Sequence, residues 1–380
     1  MKAISVREHL RGVVGGMLDE LRLVRLHGDR AALCLQTVLS VVLAVGVADL
    51  LDLRDRWWVA LSAYVVFRAD LPVMLRRCLE RMVGTLAGAA AAVALAVFLL
   101  PHAGLIVPTL AVIAGIGIYN MIGSPRAYSW VLGTVTALMV LGEAAHAPSL
   151  PALALDRIID VATGVGSTLA VATIYQGLAR LRRRTLEKPG QPAHAGAPTL
   201  APASGLRRLK AWQALDGAAA VALLAGIDRL HTLPSLSQAM VSIVAVLLVP
   251  LPALSQGTAT MEVQQRMLNR VLGCFCAALI AAPLLPVIGH VPALCMLVLA
   301  AGVWLAAHIQ SGSARVSYIG TQFGVGFIMV FVQDHGWSPD ASAALRRLLG
   351  IVLALVGLSA VIAVTSWLKG QRQIGHAPNG

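Results

Sequence analysis

The chain has 380 residues, of which 58% are hydrophobic and only 13% are charged. A soluble domain carries about 25% charged residues, so a soluble globular protein is excluded and the lipid bilayer must solvate most of this chain. The formal net charge is +12, but the basic residues flank the apolar runs. That placement marks the cytoplasmic side of a membrane protein and argues against a nucleic-acid partner.

The first 30 residues form a polar, charged segment that we expect to be cytoplasmic. Apolar residues between Val6 and Val24 recur at helical spacing, which predicts an amphipathic helix on the membrane surface, its arginines facing lipid headgroups. The segment contains no short apolar region followed by a small-residue cleavage site, so we expect no signal peptide.

Six apolar stretches follow in the first half of the chain. The predicted spans lie near 31–51, 57–67, 83–100, 105–119, 127–142 and 154–178. Trp57 and Trp58 open the second span, where paired tryptophans anchor a helix in the interface. Basic loops follow spans two, four and six, whereas the loops after spans three and five lack lysine and arginine. The N-terminus and the end of this half are therefore predicted to be cytoplasmic.

The second half repeats this layout after a linker. Residues 183–206 are rich in proline, alanine and glycine, which is typical of a flexible cytoplasmic linker. The predicted spans of this half lie near 211–230, 236–251, 270–286, 291–309, 317–333 and 344–367. The predicted domains are the N-terminal segment 1–30, a first repeat 31–182, the linker 183–206, a second repeat 207–368 and a cytoplasmic tail 369–380.

The two halves share more than hydropathy. Several polar and glycine positions recur 189 residues later: Arg77 as Arg266, Arg81 as Arg270, Gly84 as Gly273, Ser124 as Ser313, Arg126 as Arg315 and Arg157 as Arg346. An even number of spans per unit makes the halves parallel, related by a pseudo-twofold axis along the membrane normal. The predicted fold is an all-α integral membrane protein of about twelve transmembrane helices in two parallel six-helix repeats.

Four arginines are candidates for contact with an anion. Arg81 and Arg270 lie at the edge of an apolar run, three residues before a glycine that permits close approach of another helix. Arg126 and Arg315 lie in short turns. A guanidinium matches a carboxylate with two parallel hydrogen bonds. The alternative is structural, because arginines also cap carbonyls at helix C-termini.

The remaining candidates are polar groups inside predicted spans. Asp160 lies about one turn into the sixth span and is a candidate proton-coupling group, although a local salt bridge with Arg157 also explains it. Tyr128, Tyr318 and Gln322 lie in or near the fifth span of each half, where they would hydrogen-bond a substrate or another helix. Tyr318 and Gln322 join the four arginines in the predicted substrate-binding set.

No known catalytic or cofactor motif stands out. The five cysteines and ten histidines lack metal-ligand spacing, and the chain has no glycine-rich nucleotide-binding loop and no recognisable hydrolase signature. We therefore expect no cofactor, no metal and no enzymatic activity, with the cysteines acting as small core residues.

Several segments resemble the fusaric-acid-resistance-like family of bacterial inner-membrane proteins, often called FUSC. They are Trp57-Trp58-Val-Ala-Leu, Arg81-Met-Val-Gly84-Thr85-Leu-Ala-Gly88, Ser317-Tyr318-Ile-Gly320-Thr321-Gln322-Phe-Gly-Val-Gly-Phe327 and Arg347-Leu-Leu-Gly350. The resemblance covers roughly residues 30–180 and 207–368. It implies an inner-membrane protein that exports organic anions such as aromatic carboxylic acids, often with a periplasmic adaptor protein.

The function expected from the sequence is thus export of a small organic anion. The expected partners are membrane lipid, the organic anion itself and a periplasmic adaptor, with a homo-oligomer as a further candidate. Two alternatives stay open: a passive organic-anion channel, which needs the same arginines but no coupling carboxylate, and a non-transporting membrane scaffold or enzyme.

Overall fold

The structure is a computed structural model that describes residues 6–23, 28–99, 101–144, 149–183, 203–334 and 336–374. The predicted linker and tail lie largely outside these ranges. Within them the chain is helical and contains no strand. The α-helices are α1 (Val6–Arg22), α2 (Asp29–Leu50), α3 (Arg56–Val66), α4 (Leu71–Leu99), α5 (Ile106–Met121), α6 (Ala127–Gly142), α7 (Leu150–Arg183), α8 (Ala203–Leu230), α9 (Leu236–Val246), α10 (Leu251–Ser255), α11 (Ala259–Ile288), α12 (Pro292–Gln310), α13 (Ala314–Phe331) and α14 (Ser342–Ile374).

Six of these helices are long and apolar enough to cross a bilayer: α2, α4, α7, α11, α12 and α14. Four shorter helices, α5, α6, α9 and α13, are apolar over 10–17 residues each within the described ranges. An all-α, multi-pass membrane protein is therefore confirmed. The count of twelve spans and the repeat stay predictions, since α3 and α8 fall in neither group and α8 carries Gln213, Asp216 and Asp228.

A helix overlaps every predicted span, but α4, α8 and α11 each begin well before the span predicted for them. The fifth predicted span and α6 share the same bounds, 127–142. In contrast, α4 begins at Leu71, well before the predicted span at 83, so the arginine-rich stretch is already helical. Pro72 occupies the first turn, where a proline needs no hydrogen-bonded amide, and no glycine or proline interrupts the helix before Gly84.

The chain forms two compact units. Four of the five boundaries between their segments fall inside α4, α7, α11 and α14, and the fifth lies between Leu200 and Ala201. Unit 1 consists of Met1–Cys78, Ile159–Leu200 and Leu268–Leu345. Unit 2 consists of Leu79–Ile158, Ala201–Met267 and Arg346–Gly380. Each unit therefore draws its helices from both halves of the sequence.

In unit 1, α2 packs on α3 and α12, and α13 packs on α12 and α3. The core contains a ladder of stacked rings on one face of α13, formed by Phe323, Phe327 and Phe331 with centroid separations of 6.0 and 5.4 Å. Gly302 of α12 leaves room for the Phe327 ring. The Tyr64 hydroxyl of α3 donates to the carbonyl of Gly320 at 3.3 Å, joining α3 to α13.

Unit 2 has the same arrangement of helix neighbours as unit 1. The places taken by first-half helices in unit 1 are taken by second-half helices in unit 2, and the reverse. Here α8 packs on α9 and α5, and α6 packs on α5 and α9. The Thr134 side chain of α6 fills the space left by Gly117 on α5, so the two helices approach closely. On α8, Gly217 faces Ile118 and Leu247 in the same way. Small residues at helix crossings are the usual means of close packing in a membrane.

The N-terminal helix α1 packs against α12 and α13 within unit 1. Val13 of α1 is buried, and Gly16 faces Val316, where a Cβ atom would lie 2.8 Å from the Val316 Cγ1. One turn on, the Glu20 carboxylate accepts hydrogen bonds from the Arg30 guanidinium at 2.6 Å and from the Ser313 amide at 2.8 Å. Protein contacts therefore hold α1 in place, in addition to the predicted contact of its arginines with lipid headgroups.

The surroundings of Glu20 favour its charged form. Burial raises the pKa of its carboxyl, but the hydrogen bonds from Arg30 and Ser313 and the positive charges of Arg30 and His308 outweigh burial. The pKa of Glu20 therefore lies below its usual value. A carboxyl with a depressed pKa in the folded state stabilises the fold above its unfolded pKa, and this stabilisation disappears as the pH falls through the folded pKa.

We predict that Glu20→Gln lowers the melting temperature of the detergent-solubilised protein at pH 7, because the charge-assisted bonds to Arg30 and Ser313 weaken. The difference from the wild type should stay constant from about pH 8 to pH 6 and shrink below the unfolded pKa of about 4.3. Asp19→Asn is the matched control, since the Asp19 side chain is 71% exposed. A difference that persists unchanged in acid would contradict the assignment.

Candidate functional site

The structure buries the two arginines singled out by the repeat. Arg81 on α4 is 3% exposed and belongs to unit 2, and Arg270 on α11 is 4% exposed and belongs to unit 1. A guanidinium cannot lose its proton in a protein, so both side chains carry their charge into the helix packing. In contrast, Arg76, five residues earlier on α4, is exposed.

In unit 1, Arg270 contacts the amide of Gln322 on α13. The Arg270 Nη1 donates to the Gln322 Oε1 at 2.7 Å, a distance typical of a charge-assisted bond. Gly273 allows this contact, because a Cβ atom there would lie 2.7 Å from the Gln322 Cβ and 2.9 Å from the Phe323 amide nitrogen. The Cys274 thiol adds a weak hydrogen bond to the Gln322 carbonyl at 3.7 Å. Gln322 is thus held against α11 through both its side-chain amide and its backbone carbonyl.

In unit 2, Arg81 contacts the phenol of Tyr128 on α6, and its Nη1 donates to the Tyr128 hydroxyl oxygen at 3.0 Å. Gly84 again permits the approach, since a Cβ atom there would lie 2.5 Å from the Ser129 carbonyl oxygen. One turn further along α4, Gly88 packs directly on the backbone of Gly133. In both units the glycine three residues after the arginine permits close approach of a neighbouring helix, as the sequence predicts. That neighbouring helix carries the side chain that accepts a hydrogen bond from the arginine.

The other predicted residues divide between the units. Arg126 is exposed at the N-terminus of α6 in unit 2, where its amide donates to the Ser124 hydroxyl at 3.1 Å. In unit 1, Asp160 on α7 is 2% exposed and Tyr318 on α13 is half-buried. Arg315 lies on the first turn of α13, and its side chain is outside the described part of the structure.

Two polar contacts were not part of the predicted site. Tyr128 appeared in the sequence only as a polar residue near a span, and no spacing identified it as the partner of Arg81. In unit 2, the buried Arg157 lies 3.9 Å from the Glu143 carboxylate, whose other oxygen accepts a hydrogen bond from the Ser237 hydroxyl at 2.7 Å. The sequence signal for this second contact was Glu143, an acidic residue in a loop that contains no lysine or arginine.

The described residues contain no group of three or more histidine, cysteine, aspartate or glutamate side chains that could hold a metal ion. The two arginine sites contain guanidinium, amide and phenol groups, all of which are able to donate hydrogen bonds.

One comparison with known proteins finds a family match over part of the chain. Residues 43–171, about a third of the chain, match the model of the family described as fusaric acid resistance protein-like. This confirms the family resemblance. Arg81, Tyr128 and Asp160 lie inside the matched residues, and Arg270 and Gln322 lie outside them. The family indicates a membrane protein of the efflux and resistance type. The search of curated proteins found no match. Nor did any solved structure match the chain.

We predict that Gly84→Ala destabilises the protein by about 1–3 kcal/mol, because the added methyl group meets the backbone of Ser129, which cannot rotate away. The control is Gly166→Ala on α7, where a Cβ atom meets nothing within 4 Å. That variant should leave stability unchanged or raise it by up to about 1 kcal/mol, through helix propensity. Thermal unfolding in detergent measures both changes, and equal melting temperatures for the two variants would contradict the close packing of α4 on α6.

Proposed function

We propose that this protein exports small organic anions across a bacterial inner membrane, with aromatic carboxylates as the first class to test. One observation carries the proposal: the chain buries two permanently charged arginines, and each donates to a neutral side chain on a neighbouring helix. The family match to a resistance-type membrane protein supports the direction of transport.

A guanidinium in the middle of a bilayer costs about 2.5–3.5 kcal/mol on insertion scales, so a membrane helix retains one where it serves packing or function. Tyr128 and Gln322 each accept one hydrogen bond from the buried guanidinium beside them. A carboxylate matches the parallel N–H donors of a guanidinium, so an organic anion is the class of ligand that these arginines would favour.

The proposed architecture comprises twelve spans in two parallel six-span repeats, α2 to α7 and α8 to α14 with the short α10 as a connection. Two observations support it: polar positions recur at an offset of 189 residues, and the same set of helix neighbours occurs in each unit with the halves exchanged. We place both termini in the cytoplasm, where the basic loops would raise the local concentration of organic anions. A periplasmic adaptor and a second copy of the chain are the proposed protein partners.

Asp160 is the proposed proton-coupling group. Its carboxyl group can bind and release a proton, which the guanidinium groups of the two arginines cannot do. It is a buried carboxylate on one of the six helices long enough to span a membrane. Acidic residues at such positions commonly carry protons in transporters. The second half has Leu349 at the corresponding position, so this role would belong to one half alone.

We predict that Arg81→Gln and Arg270→Gln each reduce export of radiolabelled benzoate from proteoliposomes at least tenfold, because each loses one charge-assisted contact to the anion of about 1.5–3 kcal/mol. Arg76→Gln is the matched control on the same helix and should transport like the wild type, because Arg76 is exposed. Protein levels in the membrane serve to exclude poor folding. Unchanged transport in both buried-site variants would refute the proposal.

We predict that Asp160→Asn abolishes benzoate export driven by a proton gradient while preserving exchange of benzoate across the membrane without a gradient. Neutral asparagine keeps the size of the side chain but cannot bind and release a proton. Flux of benzoate and of protons, measured in the same proteoliposomes, tests this directly. If the variant still couples the two fluxes, another group carries the proton. If the wild type shows benzoate flux without coupling, the protein is a passive channel.

A further inference from the structure

We propose that the turn between α12 and α13 is a binding site for a small organic carboxylate, which the chain fills with its own Glu20. A free carboxylate competes with Glu20 for this turn site, formed by Arg30, Gly312 and Ser313, and releases α1 from unit 1. The inference goes beyond export, because it assigns a ligand and a regulatory role to residues outside the proposed transport site.

The turn site holds a carboxylate in the structure. The Glu20 Oε2 accepts a hydrogen bond from the Arg30 guanidinium at 2.6 Å, and the Oε1 accepts one from the Ser313 amide at 2.8 Å. Each carboxylate oxygen therefore has its own donor. Glu20 is 7% exposed, and charge-assisted hydrogen bonds are stronger where water is excluded. The donors of the turn site are thus arranged for a carboxylate group, whichever molecule carries it.

The backbone of the turn leaves space for the carboxylate. A Cβ atom at Gly312 would overlap the carboxylate of Glu20, so a side chain at this position would close the turn site. Ser313 is the N-cap residue of α13, and its own side chain makes no capping hydrogen bond. The start of α13, where the helix dipole is positive, thus meets an anion that another helix supplies.

Arg30 has a donor that Glu20 does not use. Its Nη2 donates to Glu20 and also to the backbone carbonyl of His308. Its Nε, on the same edge of the guanidinium as Nη2, is buried and has no hydrogen-bond partner among the described residues. A free carboxylate can accept from Nε and Nη2 in parallel, the geometry that guanidinium and carboxylate groups favour. It would therefore gain a hydrogen bond that Glu20, held in position by α1, does not make.

Further contacts of α1 set the concentration at which a free anion competes. The His308 Nε2 donates to the backbone carbonyl of Glu20 at 3.1 Å, since a carbonyl oxygen can only accept. Val13 is buried, and Gly16 packs closely on Val316. These contacts make Glu20 a tethered ligand, whose effective concentration at the turn site is roughly millimolar or higher. A free carboxylate must reach a similar level to displace it, so the turn site responds to accumulation of an organic acid.

Glu20→Ala empties the turn site and keeps its donors. Acetate added to this full-length variant in detergent at pH 7 should raise its melting temperature by several degrees and then saturate, because a ligand that binds the folded state stabilises it. Chloride at the same ionic strength should have no such effect. The double variant Glu20→Ala with Arg30→Gln should lose the response to acetate. Asp19→Ala is the matched control and should respond like the wild type, since the Asp19 side chain is 71% exposed.

Hydrogen exchange of the wild type, followed by mass spectrometry, tests the release of α1. Benzoate raised to tens of millimolar should speed exchange of the α1 amides several-fold, because a helix without its docking contacts opens more readily. Benzamide, which keeps the ring and lacks the charge, should leave exchange unchanged. In Glu20→Gln, which weakens the contact with Arg30, α1 should exchange fast without benzoate and respond little to it.

A saturating response of Glu20→Ala to acetate, together with release of α1 by benzoate in the wild type, supports the inference. A response to acetate no larger than that to chloride would overturn it, because the turn would then accept no free carboxylate. Exchange of wild-type α1 that benzoate leaves unchanged would overturn it as well, and this result decides alone if Glu20→Ala fails to fold. Neither experiment measures transport, so failure here leaves the proposed export function standing.

Discussion

A buried guanidinium is the constraint on which this structure depends. Arginine cannot be neutralised by deprotonation, so a helix that buries it must offer it acceptors or an anion. At Arg81 and Arg270 the chain meets this need by bringing a second helix into contact through a glycine, and the second helix supplies a neutral oxygen. Helix packing and hydrogen bonding of the guanidinium therefore depend on each other at both positions. A larger residue in place of the glycine would push away the oxygen that accepts a hydrogen bond from the arginine.

This solution connects the local contacts to the organisation of the whole chain. Each unit combines helices from the first half with helices from the second. In unit 1, α2 and α3 pack with α12 and α13, and in unit 2, α8 and α9 pack with α5 and α6. Neither half therefore completes a unit alone. Each unit thus needs helices from both halves, and the side chain that accepts from the buried arginine differs between the units.

Much of this could be predicted from residues alone, for physical reasons. Hydropathy locates transmembrane helices well because a helix needs a long run of apolar residues to cross the bilayer. The bounds of α6, for example, match their prediction. The recurrence of an arginine followed by a glycine identified Arg81 and Arg270 as the residues to examine. The partners could not be predicted, because they depend on the register between α4 and α6 and between α11 and α13. Tyr128 and Gln322 occupy non-equivalent positions, so the repeat was no guide to them. The burial of Glu20 could not be predicted either, since the Ser313 amide that it contacts lies 293 residues away along the chain.

That separation in sequence has a consequence for the order of assembly during synthesis. The ribosome makes α1 well before α12 and the start of α13, which form the surface on which it docks. Until then Glu20 lacks the Ser313 amide that it holds in the finished protein. An amphipathic helix can wait at the lipid surface meanwhile. Docking of α1 can therefore occur only after α12 and the start of α13 have been made.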